Sequence, residues 1–188
     1  RERRVQAWLE FTDGRRAFVA CWRGGLRSKI ATEWMMDAGM NVLRVEGGYK
    51  ALRAELLPRF SNPGELWVLG GYTGSGKTAL LRAIPSEWSI DLEAMAHHRG
   101  SSFGDLFDDP QPRQATFENA LGLKLYRERH AHLIEDESIR IGSVSLPRDL
   151  KKHMVTAPLV LVEASVEERA DRIFEEYVAL PLRNGVDR

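Results

Sequence analysis

The amino-acid sequence predicts an α/β protein with parallel sheets, built in two segments, and three observations carry that prediction. Short apolar runs alternate with helical stretches along the chain, the pattern of strands buried between helices. Residues 71–78 read Gly-Tyr-Thr-Gly-Ser-Gly-Lys-Thr, set between an apolar run and a helical stretch, the context a phosphate-cradling loop requires. Phe60-Ser61-Asn62-Pro63-Gly64 breaks helix and strand alike, so residues 1–60 and 61–188 read as separate domains.

In the first segment Val5, Trp8 and Leu9 recur at helical spacing, predicting a helix over 3–11. Asp13-Gly14 turns the chain into Ala17–Ala20, a short apolar run of the kind buried in a parallel sheet, which ends at Cys21. Gly24 and Gly25 make 22–27 a loop. Ser28 is placed to cap a helix through Met36 that Gly39 closes. Residues 41–45 read as a second strand, Gly47-Gly48 as a turn and 49–57 as a helix. In the second segment 66–69 is a strand, 70–76 a loop and 77–84 a helix. A short strand over 88–91, a polar loop over 97–114, a helix over 114–129 and strands over 132–135 and 159–163 follow. Ser165, with Glu168 three residues on, opens a helix over 166–178 through a capping box.

Composition narrows the function classes. Hydrophobic residues are 43% and charged residues 29% of 188, which excludes a disordered chain, a collagen-like repeat and a disulfide-stapled mini-protein. The single cysteine excludes an internal disulfide and suggests a reducing, cytoplasmic setting. No apolar run approaches the ~20 residues of a membrane span. The chain opens Arg1-Glu2-Arg3-Arg4 without Met and without the apolar core of a signal peptide, which suggests a fragment. Lys+Arg and Asp+Glu are 27 each, yet residues 1–30 carry eight basic against three acidic side chains. Such a segment can meet phosphates while the whole stays neutral, with Arg3, Arg4, Arg15 and Arg16 as candidate contacts.

Four stretches carry chemistry. In Gly71–Thr78 the glycines let backbone N–H groups turn inward, and with the helix N-terminus they form an anion cradle. Gly71, Gly74, Ser75, Gly76, Lys77 and Thr78 are therefore candidate phosphate- or nucleotide-binding residues. Lys77 would neutralise outer phosphate oxygens and the Thr78 hydroxyl would ligate Mg²⁺. A neighbouring strand places an acid beside that ion in phosphate-loop domains, and Glu135 or Asp136 fits the position. The octapeptide Cys21-Trp22-Arg23-Gly24-Gly25-Leu26-Arg27-Ser28 puts the cysteine at a strand end, before a glycine loop and a helix. Loop N–H groups can face the sulfur, and the helix N-terminus with Arg23 and Arg27 favours the nucleophilic thiolate. The same cradle suits a sulfur carrying an extra sulfur or selenium atom. Cys21, Arg23 and Arg27 are the catalytic candidates; the alternative is a small hydrophobe at a strand end. Finally, the loop holding His97, His98, Arg99 and Ser101 could bind a phosphate or a base, or could be plain surface.

Residues 21–28 resemble the active-site loop of the rhodanese family, and Gly47-Gly48-Tyr49-Lys50-Ala51 resembles that family's turn after the next strand. A rhodanese segment joined to Gly71–Thr78 is similar to the bacterial tRNA 2-selenouridine synthase family. Further likeness lies in Asp91-Leu92-Glu93, in 97–104, in Gln111-Pro112 with Phe117-Glu118-Asn119, in 135–138, and in Ile141-Gly142 with Leu146-Pro147. The resemblance implies a rhodanese-like C-terminal half over 1–60 and a phosphate-loop NTPase-like domain over 61–188, both incomplete. It implies conversion of wobble 2-thiouridine in tRNA to 2-selenouridine with selenophosphate, through S-geranylation from geranyl diphosphate. Cys21 matches the essential cysteine, and a perselenide on it is a conceivable selenium carrier.

Three readings follow. The first is the tRNA-modifying transferase, in which Gly71–Thr78 holds geranyl diphosphate with Mg²⁺ and Trp22 offers a platform for an unstacked base. The second is a small-molecule kinase or ATPase with a sulfurtransferase segment, since 159–163, Ser165 and an arginine-bearing helix suit a nucleotide kinase core. The third is a non-catalytic phosphate-binding module that recruits tRNA through its basic first segment.

Overall fold

The computed structural model describes residues 1–98, 110–127, 131–179 and 183, and the chain divides into two compact units, Arg1–Leu57 and Pro58–Arg188. The expected α/β fold with parallel sheets is present. In the first unit α1 (Glu2–Thr12) leads through a left-handed Asp13 into β1 (Ala17–Val19). Then come α2 (Leu26–Asp37), β2 (Val42–Arg44) and α3 (Gly48–Leu56). The strands β1 and β2 pair in parallel, Ala17 opposite Val42 and Val19 opposite Arg44. Met35 and Val42 are buried, while Phe18 and Leu43 remain exposed. The α2 helix starts at Leu26 behind Gly25, not behind Ser28 as expected. The Ser28 hydroxyl lies inside the first turn, donating to the Gly25 carbonyl at 3.0 Å and meeting the Cys21 sulfur, so it is not available as a cap.

A 3₁₀ turn (Leu57–Phe60) leads into the second unit, whose strands are β3 (Leu66–Gly70), β4 (Ser89–Ile90), β5 (His132–Glu135), the β6–β7 hairpin (Arg140–Ile141, Val144–Ser145) and β8 (Leu159–Leu161). Its helices are α4 (Lys77–Ala83), α5 (Leu92–Ala96), α6 (Gln114–Arg127), α7 (Arg148–Thr156) and α8 (Val166–Phe174), the last running into a π-helical turn, Glu175–Ala179. Four strands form a parallel sheet in the order β4-β5-β3-β8. One of the two inner strands, β3, is apolar throughout and buried at every position but Trp67. Leu69, Ile134, Phe117, Leu121 and Leu150 are fully buried.

Three elements were not foreseen. The α5 helix is only five residues, capped by Asp91, whose carboxylate accepts from the Ala94 amide at 2.8 Å. The β6–β7 hairpin is held by Gln111, which donates to the Ala96 and Ile141 carbonyls and accepts from the Ser143 amide. The α7 helix buries only Leu150 and Met154 from an otherwise polar stretch, too sparse an apolar stripe to read from spacing. Among the described residues no helix is long and apolar enough to cross a membrane. Phe117 is 1% exposed in this core, so Phe117→Ala should cost about 3–5 kcal/mol, read as a lowered urea midpoint.

Candidate functional site

The phosphate-loop motif occupies the turn between β3 and α4, where sequence placed it. Gly71, Gly74 and Gly76 have φ values of 148°, 77° and 99°, backbone that a side chain would strain. Space is short as well. A Cβ on Gly71 would stand 2.6 Å from the Val162 carbonyl oxygen, and one on Gly74 2.6 Å from that of Arg169. The Ser75 amide closes a turn on the Tyr72 carbonyl at 3.0 Å. Ser75 is itself buried, its hydroxyl without a hydrogen-bond partner among the described residues. Lys77 bends back over the loop, donating from Nζ to the Gly71 carbonyl at 2.7 Å and the Tyr72 carbonyl at 3.4 Å. Thr78 follows on the first turn of α4.

Register brings an acid to this loop. The pairing of β3 with β5 sets Leu69 opposite Glu135, two residues before Gly71. Glu135 is 1% exposed, and one oxygen of each of Glu93, Glu135 and Glu137 lies within 4.8 Å of the others. Burial, then the charges of Glu93, Asp91 and Glu137, push the Glu135 carboxyl up to about 8. Burial and Glu93 push Glu137 up to about 7, opposed by the charge of Lys77. Three crowded carboxylates suit a hard divalent cation, which takes oxygen donors. Of the two acids proposed from sequence, Glu135 joins this group. Asp136 does not: its amide extends the ladder to Leu69 and its exposed carboxylate pairs with Lys151 at 3.3 Å. Glu93 and Glu137 were missed. Glu137 stood in the acidic run after the strand; Glu93 comes from α5, and only the fold brings it in.

Cys21 follows β1, and its sulfur lies 3.2 Å from Ser28 Oγ. Hydrogen bonding with the Ser28 hydroxyl and with its amide, with smaller help from the Arg23 and Gly25 backbone, outweighs burial and lowers the thiol to about 7. The loop's N–H groups thus do face the sulfur. The guanidinium groups of Arg23 and Arg27 are not among the causes, and both side chains are exposed, so the expected arginine contribution is replaced by dipoles. The Gly47-Gly48 turn explains itself here. A Cβ on Gly48 would collide with the Cys21 carbonyl, one on Gly24 would stand 2.6 Å from the Gly47 nitrogen, and the Tyr49 and Lys50 amides donate to the Cys21 and Trp22 carbonyls at 2.9 and 3.1 Å. Trp22 stacks on Tyr49 with ring centres 5.1 Å apart while half its surface stays open. An apolar cavity of about 350 Å³, lined by Trp8, Phe11, Phe18 and Met35, opens beside Cys21, Arg27 and Ser28.

His97 is the left-handed C-cap of α5, and His98 packs against Gly142. Arg99 and Ser101 lie outside the described residues.

Residues 64–188 match the family model described as tRNA 2-selenouridine synthase AAA domain. The chain belongs to that family. Curated relatives bearing the name tRNA 2-selenouridine synthase include one from Hahella chejuensis, 45% identical over 187 residues, covering 95% of this chain and 48% of the relative. One from Shewanella piezotolerans is 43% identical over 186 residues, covering 95% and 50%, and one from Hydrogenovibrio crunogenus 45% over 188, covering 93% and 51%. The chain spans about half the length of the curated relatives it matches. No solved structure matches it.

Two outcomes are expected. Ser28→Ala removes the largest cause of the lowered Cys21 pKa, so the pH midpoint of iodoacetamide alkylation should rise from about 7 toward the ordinary thiol value. Glu135 is raised, so its contribution to stability is complete below the ordinary carboxyl pKa and is lost as pH rises through about 8. Without divalent ions the melting temperature of the second unit should fall from about pH 5 to about pH 9. Glu135→Gln should flatten that slope, and Mg²⁺ should raise the melting temperature more at the alkaline end.

Proposed function

We propose that the chain is part of a tRNA-modifying transferase that converts wobble 2-thiouridine to 2-selenouridine, with geranyl diphosphate and selenophosphate as co-substrates. The observation that carries this reading is the pairing of two anion-holding constructions in one chain. One is a thiol lowered to about 7 by backbone amides and Ser28. The other is a glycine loop with Lys77 and facing carboxylates. The relatives' names supply the nucleoside and tRNA; the wobble position, the geranyl step and the selenium donor follow from the family likeness. Residues 1–60 are read as the C-terminal half of a rhodanese-like domain.

In the first step the thiocarbonyl sulfur of the base attacks C1 of geranyl diphosphate. The S–C bond forms as the C–O bond breaks, diphosphate leaves with the bonding pair, and the N3 proton is lost. Loop amides and Lys77 would take up the charge developing on the departing diphosphate. For this Lys77 must leave the Gly71 and Tyr72 carbonyls, a side-chain rotation only. Glu93, Glu135 and Glu137, with the Thr78 hydroxyl, would hold Mg²⁺, which supplies charge neutralisation of the diphosphate when bound. In the second step the selenium of selenophosphate adds at C2 and geranylthiolate departs with the C–S pair and takes up a proton; water then cleaves the P–Se bond, releasing phosphate and leaving the 2-seleno base. The Cys21 cradle suits an anionic chalcogen for that step, and the basic residues of the first segment suit tRNA phosphates.

The test uses purified full-length enzyme, thiolated tRNA, and geranyl diphosphate or selenophosphate, with nucleoside masses as the readout. Lys77→Ala should slow geranylation by about 100-fold or more. Cys21→Ala should abolish selenation and spare geranylation. Intact geranylation in a folded Lys77→Ala protein, or loss of both reactions or of neither in Cys21→Ala, refutes the assignment. Steady ATP turnover without tRNA would favour the kinase reading instead.

A further inference from the structure

We infer that Arg169 and Arg172 of α8 are positioning residues that hold Gly71–Thr78 in its amide-inward form; this rests on the reading of that loop as the diphosphate site. The capping box of Ser165 and Glu168 fixes where α8 begins, and the i, i+3 spacing then puts both arginines on one face. That face lies on the loop. Arg169 Nε donates to the Thr73 carbonyl at 3.0 Å, and its guanidinium covers the Tyr72 ring at 4.7 Å. Arg172 Nη1 donates to the carbonyls of Gly74 at 3.1 Å and Ser75 at 2.9 Å.

Three consecutive carbonyls are therefore drawn toward α8. In a planar trans peptide the carbonyl of one residue and the N–H of the next point in opposite directions. Fixing the Thr73 and Ser75 carbonyls outward aims the Gly74 and Gly76 amides to the other side of the loop. The intervening Ser75 amide is spent on the Tyr72 carbonyl at 3.0 Å, whereas the Gly74 and Gly76 amides donate to no acceptor among the described residues. The arginines thus orient donors that they do not themselves supply. Close packing makes loop and helix a single body: a Cβ on Gly74 would stand 2.6 Å from the Arg169 carbonyl oxygen and 3.0 Å from Ile173 Cγ1. Free carbonyls and amides could rotate together about φ and ψ at a glycine-rich loop at little cost. Charge-assisted bonds from a rigid helix face remove that freedom before any ligand arrives.

The experiment measures two quantities in the full-length protein and in its Arg169→Ala, Arg172→Ala and Arg172→Lys variants. One is hydrogen–deuterium exchange over 72–78 without ligand; the other is the dissociation constant of inorganic pyrophosphate. Arg172→Ala should speed ligand-free exchange at the Ser75 amide and weaken pyrophosphate about ten-fold, the worth of one charge-assisted hydrogen bond. Arg169→Ala should do the same to a smaller extent, and Arg172→Lys should fall between wild type and Arg172→Ala in both. Weakened pyrophosphate with unchanged ligand-free exchange would make Arg172 a direct phosphate ligand and overturn the inference. Faster exchange with unchanged affinity, or no change in either, overturns it as well. If the wild-type protein takes up no pyrophosphate, the diphosphate reading has failed and the positioning role goes with it.

Discussion

The parallel pairing of β3 with β5 is the constraint on which the second unit's site depends. Leu69 opposite Glu135 brings the end of one strand, where the glycine loop begins, alongside the end of the next, where the acids begin. Val68 and Ile134 are buried in the core, so a slip of one residue in either strand would turn its core side chain out. The hydrophobic pattern therefore fixes the register, and the register fixes which carboxylate stands at the end of β5 beside the strand that leads into the loop. The meeting of loop and acids is in this sense a by-product of packing that would be needed anyway.

The two candidate sites solve opposite electrostatic problems. At Cys21 the surroundings favour an anion: amides and the Ser28 hydroxyl converge on the sulfur, and its ordinary pKa falls to about 7. At Glu135 the surroundings reject one: burial and neighbouring acids hold the carboxyl near 8. The first pocket can accept negative charge as it stands. The second calls for a cation, either the ammonium of Lys77 or a divalent ion. On the proposed reading, a diphosphate arriving with Mg²⁺ would meet both halves of that demand, amides for its oxygens and carboxylates for its metal.

Local backbone chemistry was readable in advance. Glycines at 71, 74 and 76, and at 24, 47 and 48, mark positions where φ is positive or where another backbone passes within contact. The Ser165–Glu168 box needed only four residues of sequence to be recognised. Ser28 shows the limit of such reasoning. Its hydroxyl is a good cap by type, yet a sulfur seven residues earlier and a carbonyl three residues earlier claim it. The α7 helix and the β6–β7 hairpin escaped because their burial is sparse, and because Gln111, far away in sequence, holds the hairpin.

Sequence by itself determined the alternation of strands and helices, the glycine loop with Lys77 and Thr78, and the cysteine at a strand end, since each follows from spacing within a dozen residues. Only tertiary structure decided that Glu135 rather than Asp136 faces inward, that Glu93 joins it from α5, and that Arg169 and Arg172 lie against Thr73–Ser75. Those contacts join residues from 42 to 98 positions apart. Alternation along a strand decides which neighbour points inward, but what waits there is set by how sheets and helices pack, and no local pattern encodes it.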